Sequence, residues 1–257
     1  MPWHYIEAGH GRPLVLLHGI GMSSNAWKTV IPLLARERRV LAFDVAGFGR
    51  TPPLSEAASA ANLAAALGRS LKEIGVDTPV DIAGNSMGGY IALEAAKQGL
   101  ARSVVALSPA GLWSDTGLSR HISFSLQAAR WSSSRMPGLA QRAMAITPLR
   151  WLALAVPVSA RGWKIPLADA RACVADIAAA TGFEATFAHA GRFAGGQDIS
   201  VPLTIAFGSQ DWLLTRSAQQ RQELPAHARW LKPRGWGHVP MWDDPQGVAQ
   251  LILDGTR

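Results

Sequence analysis

Apolar and polar positions follow two different periods along this chain, and the change between them divides it. Trp3 to Glu7 alternates apolar and polar side chains as a short edge strand does. After a turn at Gly9-His10-Gly11, the run Pro13-Leu14-Val15-Leu16-Leu17 is apolar throughout, the pattern of a fully buried strand. Similar short runs predict strands at 39–43, 80–83, 103–107, 201–207 and 228–231. Helical spacing occupies the intervals: Trp27 to Leu34; Ala57 to Ile74, with Leu63, Leu67, Leu71 and Ile74 on one face; Tyr90 to Ala96; Arg216 to Leu224; and Pro245 to Leu253. Asp243-Asp244 suits the N-terminus of that last helix. The alternation predicts an α/β fold with a mostly parallel central sheet flanked by helices.

Between Leu112 and about Gly196 no strand-like run occurs. The segments Ser119 to Ser132, Pro148 to Val156, Leu167 to Ala180 and Glu184 to Phe193 all read as helical, with Thr147-Pro148 and Ile165-Pro166 as helix starts. So long a block between two strands is too large for a connection, and we read it as an inserted helical cap. The organisation expected is a core of residues 1–111 and 197–257 with a cap of residues 112–196. Trp113, Trp131, Trp151 and Trp163 are candidate substrate contacts from the cap, joined by Trp212 and Val239 from core loops.

The chemistry converges on Gly84-Asn85-Ser86-Met87-Gly88-Gly89, between a strand and a helix. A G-x-S-x-G turn crowds the serine into strained backbone and projects its hydroxyl above the sheet. The following helix offers the Met87 N–H, which favours developing negative charge. The glycine-rich break His18-Gly19-Ile20-Gly21 offers a second donor, the Ile20 N–H, if the two loops lie side by side. A base and an acid would complete the set. His238 stands in the loop Gly235-Trp236-Gly237-His238, and Asp211 just past a strand end; Asp44 is a competing acid, and His18 reads as a loop-shaping residue. His4 and His10 precede the sheet core, His121 and His189 lie in the cap, and His227 comes before the last strand, so they fit a base less well.

Composition adds few constraints. With 257 residues, 48% hydrophobic and 17% charged, the chain can bury a large core in one domain plus an insertion. The N-terminus lacks a signal-like pattern and no long apolar run occurs, so a cytoplasmic protein without stable membrane insertion is expected. A single cysteine, Cys173, reads as a small buried hydrophobe and leaves no disulfide framework or thiolate metal cluster. The net charge of +7 is carried by arginines scattered from Arg36 to Arg221, which reads as a generally basic surface, compatible with an anionic substrate, and not as a nucleic-acid patch.

Taken together, His18-Gly19-Ile20-Gly21, Asp44-Val45-Ala46-Gly47-Phe48-Gly49-Arg50-Thr51, Gly84-Asn85-Ser86-Met87-Gly88-Gly89, Gly208-Ser209-Gln210-Asp211 and Gly237-His238-Val239-Pro240 resemble, in order, the motifs of the α/β-hydrolase superfamily in its capped, serine-nucleophile branch. The resemblance covers nearly the whole chain. It implies Ser86 as nucleophile, His238 as base, Asp211 as acid, an oxyanion hole from the Ile20 and Met87 N–H groups, and a structural role for Asp44. Haloalkane dehalogenases and epoxide hydrolases of this superfamily look similar in the cap but carry an aspartate at the elbow. The elbow here is similar to that of hydrolases of meta-cleavage products, although Val239 stands where those enzymes have a tryptophan and the loop after Gly21 is shorter. The resemblance therefore implies a serine esterase acting on a small or medium, mostly apolar substrate, with carbon–carbon bond hydrolysis as the alternative and a non-enzymatic small-molecule receptor as a third class. Cap arginines such as Arg130, Arg135 or Arg161 would bind the carboxylate of a carbon–carbon substrate. No cofactor or metal is implied.

Overall fold

The structure, a computed structural model, describes residues 1–77, 79–114, 120–155 and 158–257. Seven strands form one sheet in the order β1-β3-β2-β4-β5-β6-β7. They are β1 (Tyr5–Ala8), β2 (Pro13–Leu17), β3 (Arg39–Phe43), β4 (Val80–Asn85), β5 (Ala101–Leu107), β6 (Leu203–Ala206) and β7 (Arg229–Leu231). Only β1 runs antiparallel, pairing Tyr5 with Phe43 at the edge. The apolar runs have the cause expected of them. In β2, Val15 and Leu17 face one core and Leu14 and Leu16 the other, so both faces of the strand are covered.

The first core lies against α2 (Ala60–Glu73) and α3 (Met87–Lys97) through Leu63, Leu67 and Ile91. The second lies against α1 (Ile31–Leu34) and the C-terminal helix, α9 (Pro245–Gly255), through Leu34, Val248 and Ile252. Ser59 caps α2 and Asp244 caps α9, each side chain accepting a backbone N–H of the first turn. At the N-terminal end of the central strands, Asp81 is enclosed by Arg12, Arg38, Arg102 and Ser103.

Between β5 and β6 stand α4 (Arg120–Arg135), α5 (Pro137–Ala145), α6 (Thr147–Ala155), α7 (Leu167–Ala179) and α8 (Phe183–Ala188). Phe193 N–H donates to Gly111 O at 2.8 Å, which draws the two ends of the insertion together. Ser119 and Val156, the limits of two predicted helices, lie outside the described residues. Helix α5 has no counterpart among the helices expected from the sequence; Pro137 occupies its first helical position, where the missing N–H costs nothing. The helix expected over 216–224 is reduced to one tight turn, Arg216–Ala218. Here non-local pairing wins: Gln220 N–H donates to Leu112 O, and Ser114 N–H to Ser217 O, so this backbone is bound sideways to the start of the insertion. Among the described residues no helix is long and apolar enough to cross a membrane.

Candidate active site

Ser86 joins β4 to α3 with φ +53° and ψ −114°. A left-handed non-glycine residue costs about 1–3 kcal/mol and persists only where its surroundings over-determine it. Here they do. Ser86 N–H donates to Leu107 O at 2.9 Å, while Ser86 O accepts from Tyr90 N–H and Ala110 N–H at 3.0 Å each. The glycines have an equally local cause: a Cβ on Gly84 would lie 2.2 Å from Gly88 O, and one on Gly88 2.2 Å from Leu17 O. Only hydrogens fit where strand and helix touch.

The two glycine-rich loops do lie side by side, because a Cβ on Gly19 would come within 3.3 Å of Ser86 Cβ. His18 fixes the first loop. It is fully buried, its Nε2 accepts the Val45 N–H at 3.0 Å, and its Nδ1 donates to Gly19 O at 2.8 Å. That pairing needs the neutral ring, and burial depresses the His18 pKa accordingly. Ile20 and Met87 both line the cleft with Ser86, and neither backbone N–H donates to an acceptor among the described residues. Asp44 lies elsewhere: it accepts from Ser24 N–H, Arg50 N–H and His4 Nδ1, tying three loops at the edge of the sheet.

His238 and Asp211 are buried together, with His238 Nδ1 donating to Asp211 Oδ2 at 3.0 Å. The other carboxylate oxygen accepts the Leu213 and Leu214 N–H groups at 3.0 and 2.8 Å. Burial by itself would raise the Asp211 pKa; the His238 charge, its hydrogen bond and the Leu214 N–H outweigh it and hold the carboxyl below its usual range. Asn85, the residue before the serine, donates from Nδ2 to His238 O at 2.8 Å, fastening the histidine loop to the elbow. Ser86 Oγ makes no hydrogen bond of 3.5 Å or less among the described residues, the loose arrangement common in ligand-free catalytic sites.

The cleft above Ser86 holds about 590 Å³ of empty space, part of it open to solvent. Trp113, Ile122, Leu126 and Phe187 line it from the insertion, and Leu213 and Leu214 from the loop after Asp211. Trp131, Trp151, Trp163 and Trp212 are 41–58% exposed and lie outside this lining, and Val239 is buried in the second core, also outside it. His189 belongs to the lining, although its position in the sequence offered no sign of it. Ile122 and Leu126 carried a signal in principle, since i,i+4 apolar residues share one helix face. Among the described residues no Arg or Lys lines the cleft; Arg130 instead binds Glu184 and the Ile177 and Ala178 carbonyls.

Comparison with known proteins gives the same fold. The model of the alpha/beta hydrolase family matches residues 14–251. An epoxide hydrolase of Mycobacterium tuberculosis, EphH, is 30% identical over 204 residues, covering 76% of this chain and 93% of the relative. A 2-hydroxy-6-oxo-6-(2'-aminophenyl)hexa-2,4-dienoic acid hydrolase of Metapseudomonas resinovorans is 37% identical over 113 residues; that match spans 42% of this chain and only 39% of the relative's length. Among solved structures, a thermophilic esterase from Thermogutta terrifontis aligns with 98% of this chain and 91% of its own at a TM-score of 0.70 and 18% identity.

Proposed function

The chain belongs to the α/β-hydrolase family, and from that premise we propose that it is a serine hydrolase cleaving carboxylic esters of small or medium, mostly apolar substrates. The observation that carries the reading is the position of Ser86 at a strained strand-to-helix turn, with the His238–Asp211 pair fastened to the residue before it. Ser86 Oγ attacks the ester carbonyl as His238 Nε2 takes its proton. Asp211 holds the ring with its proton on Nδ1 and stabilises the imidazolium. The carbonyl oxygen gains negative charge in the tetrahedral intermediate, where the Ile20 and Met87 N–H groups receive it. Collapse returns the proton to the leaving alcohol and leaves an acyl-enzyme, which a water activated by His238 hydrolyses. The helical insertion serves as a cap that walls the acyl pocket.

The lining supports a neutral substrate. Esters need no cationic subsite, whereas a dienoic acid undergoing carbon–carbon hydrolysis brings a carboxylate, and no cation lines the described cleft. That second reading is favoured by the partial match to the dienoic acid hydrolase, and loss of the absorbance of a dienol substrate tests it. The test of the first is turnover of p-nitrophenyl esters of increasing acyl length, with fluorophosphonate labelling. Turnover and labelling that vanish in Ser86→Ala support it. Wild-type protein with neither activity at any length overturns it.

A further inference from the structure

The charge of this chain is less evenly distributed than its scattered arginines suggest. From residue 116 to residue 168 there are seven Arg and Lys residues and no Asp or Glu. This stretch holds α4, α5 and α6, and of its cations only Arg130 reaches a carboxylate, Glu184, among the described residues. Arg135, Arg142 and Lys164 are exposed.

The same stretch presents apolar side chains to solvent. Phe124 is 75% exposed, Leu152 68% and Leu139 62%, and Trp131, Ile146, Leu149, Trp151 and Trp163 are also exposed. Phe124 and Trp131, seven residues apart, share one face of α4, opposite the Ile122 and Leu126 that line the cleft. Trp151 and Trp163 are in edge contact at 6.5 Å. Helix α5 packs against both α4 and α6, and α6 against the turn that carries Trp163, so these residues stand on contiguous elements. Isolated exposed hydrophobes are ordinary, but a concentration of this kind marks an interaction surface.

We propose that this face of the insertion docks on an anionic lipid surface. Amphipathic elements that rest in the headgroup region combine Trp, Phe and Leu projecting toward the acyl chains with Lys and Arg paired to lipid phosphates. Both components are present here, and residues 116–168 contain no carboxylate to repel the phosphates. A second copy of the chain fits less well. A two-fold interface sets the same patch against itself, bringing unpaired cations together with no acid to offset them. Since α4 lines the cleft with one face and carries Phe124 and Trp131 on the other, a docked insertion would hold the cleft close to the bilayer.

Flotation with phosphatidylcholine vesicles, with and without about 30 mol% phosphatidylglycerol, tests the proposal using the whole 257-residue chain. Binding is expected to the anionic vesicles only, to weaken with added salt, and to shift tryptophan emission to shorter wavelength. The triple variant Arg135→Gln, Arg142→Gln, Lys164→Gln is expected to bind about 100-fold more weakly, about fivefold per cation. Phe124→Ser with Leu152→Ser is expected to abolish flotation while the cations remain, and unchanged melting temperatures show that both variants fold. Ser86→Ala is expected to float like wild type, so the proposal stands or falls apart from the catalytic reading. No flotation with anionic vesicles overturns it, as does equal binding to both vesicle types. Concentration-dependent self-association that Phe124→Ser relieves, without any flotation, overturns it in favour of a second copy.

Discussion

Replacing Gly88 by alanine separates the contact that would shape the proposed oxyanion hole from the groups proposed to do the chemistry. The added Cβ would lie 2.2 Å from Leu17 O, 2.5 Å from Leu17 C and 2.8 Å from His18 O, all backbone atoms that cannot rotate aside. Real Cβ contacts stop near 3.0 Å, so the end of β2 and the start of α3 must part by at least about 0.8 Å. Met87 precedes Gly88 directly, and Ile20 follows Leu17 by three residues, so the parting falls between the two proposed donors. A hydrogen bond of about 2.9 Å stretched by that amount passes the limit of useful interaction. Loss of one such donor costs about 10²–10³ in kcat. Overpacking adds about 1–3 kcal/mol of destabilisation, and for a chain of this size each kcal/mol lowers Tm by about 2–4 °C. We therefore expect Gly88→Ala to remain folded, melt several degrees early, and lose at least about 100-fold in kcat on p-nitrophenyl esters with little change in KM. Gly138→Ala is the control: nothing lies within 4 Å of its added Cβ, and replacing a helical glycine stabilises by about 0.5–1 kcal/mol without touching kcat. Wild-type kcat and Tm in Gly88→Ala would refute the argument that this contact sets the hole.

Other perturbations probe neighbouring parts of the same scheme. Asp211→Asn is expected to fold but to lose about 10⁴ in kcat, because an amide favours the wrong imidazole tautomer at His238; steady-state kinetics beside a thermal melt checks it. His18→Phe keeps an aromatic ring, somewhat larger than imidazole, but orphans the Val45 N–H and the Gly19 carbonyl, costing about 1–3 kcal/mol each and loosening the Ile20 loop, so kcat should fall more than KM rises. Because the folded-state pKa of His18 is depressed by burial, its stabilising contribution is present above about pH 6.5 and lost as pH falls. Urea melts of His18→Phe and wild type should therefore converge in acid. Asp81→Asn removes one carboxylate from among three guanidinium groups, for about 3–5 kcal/mol at neutral pH. Burial alone would raise the Asp81 pKa, but the Arg102 and Ser103 hydrogen bonds and the Arg38 charge hold it below the usual range. Its contribution is therefore present above about pH 3.9 and lost as pH falls through the folded-state value, and a penalty that grew on acidification would contradict this.

The α/β alternation, the buried strands and the elbow turn could be read from the chain because each has a local cause. Leu14 to Leu17 is apolar at every position because both faces of β2 are covered, and Gly84 and Gly88 are glycines because backbone atoms stand 2.2 Å from where a Cβ would be. Short-range pattern and steric need of this kind are written in consecutive residues. The order of the proposed Ser86, Asp211 and His238 rests on the same alternation, each residue standing in a loop that follows a strand.

What surrounds Ser86 was decided elsewhere. That Trp113 turns into the cleft while Trp131, Trp151 and Trp163 face solvent depends on how α4 to α7 pack, and a tryptophan's own neighbours in the chain do not distinguish the two cases. His189 and Leu213 become pocket walls, and Arg130 is taken up by Glu184, through contacts between segments distant in sequence. The 216–224 stretch makes the point in backbone terms: its Gln220 N–H donates to Leu112 O and its Ser217 carbonyl accepts the Ser114 N–H once the insertion folds back, and those non-local bonds displaced a helix that local propensity favoured. The sequence determined the layers and the strained turn that carries Ser86, because period and steric need are local. Only the tertiary structure decided the pocket wall and the outward face of the insertion, because these depend on which helix faces meet.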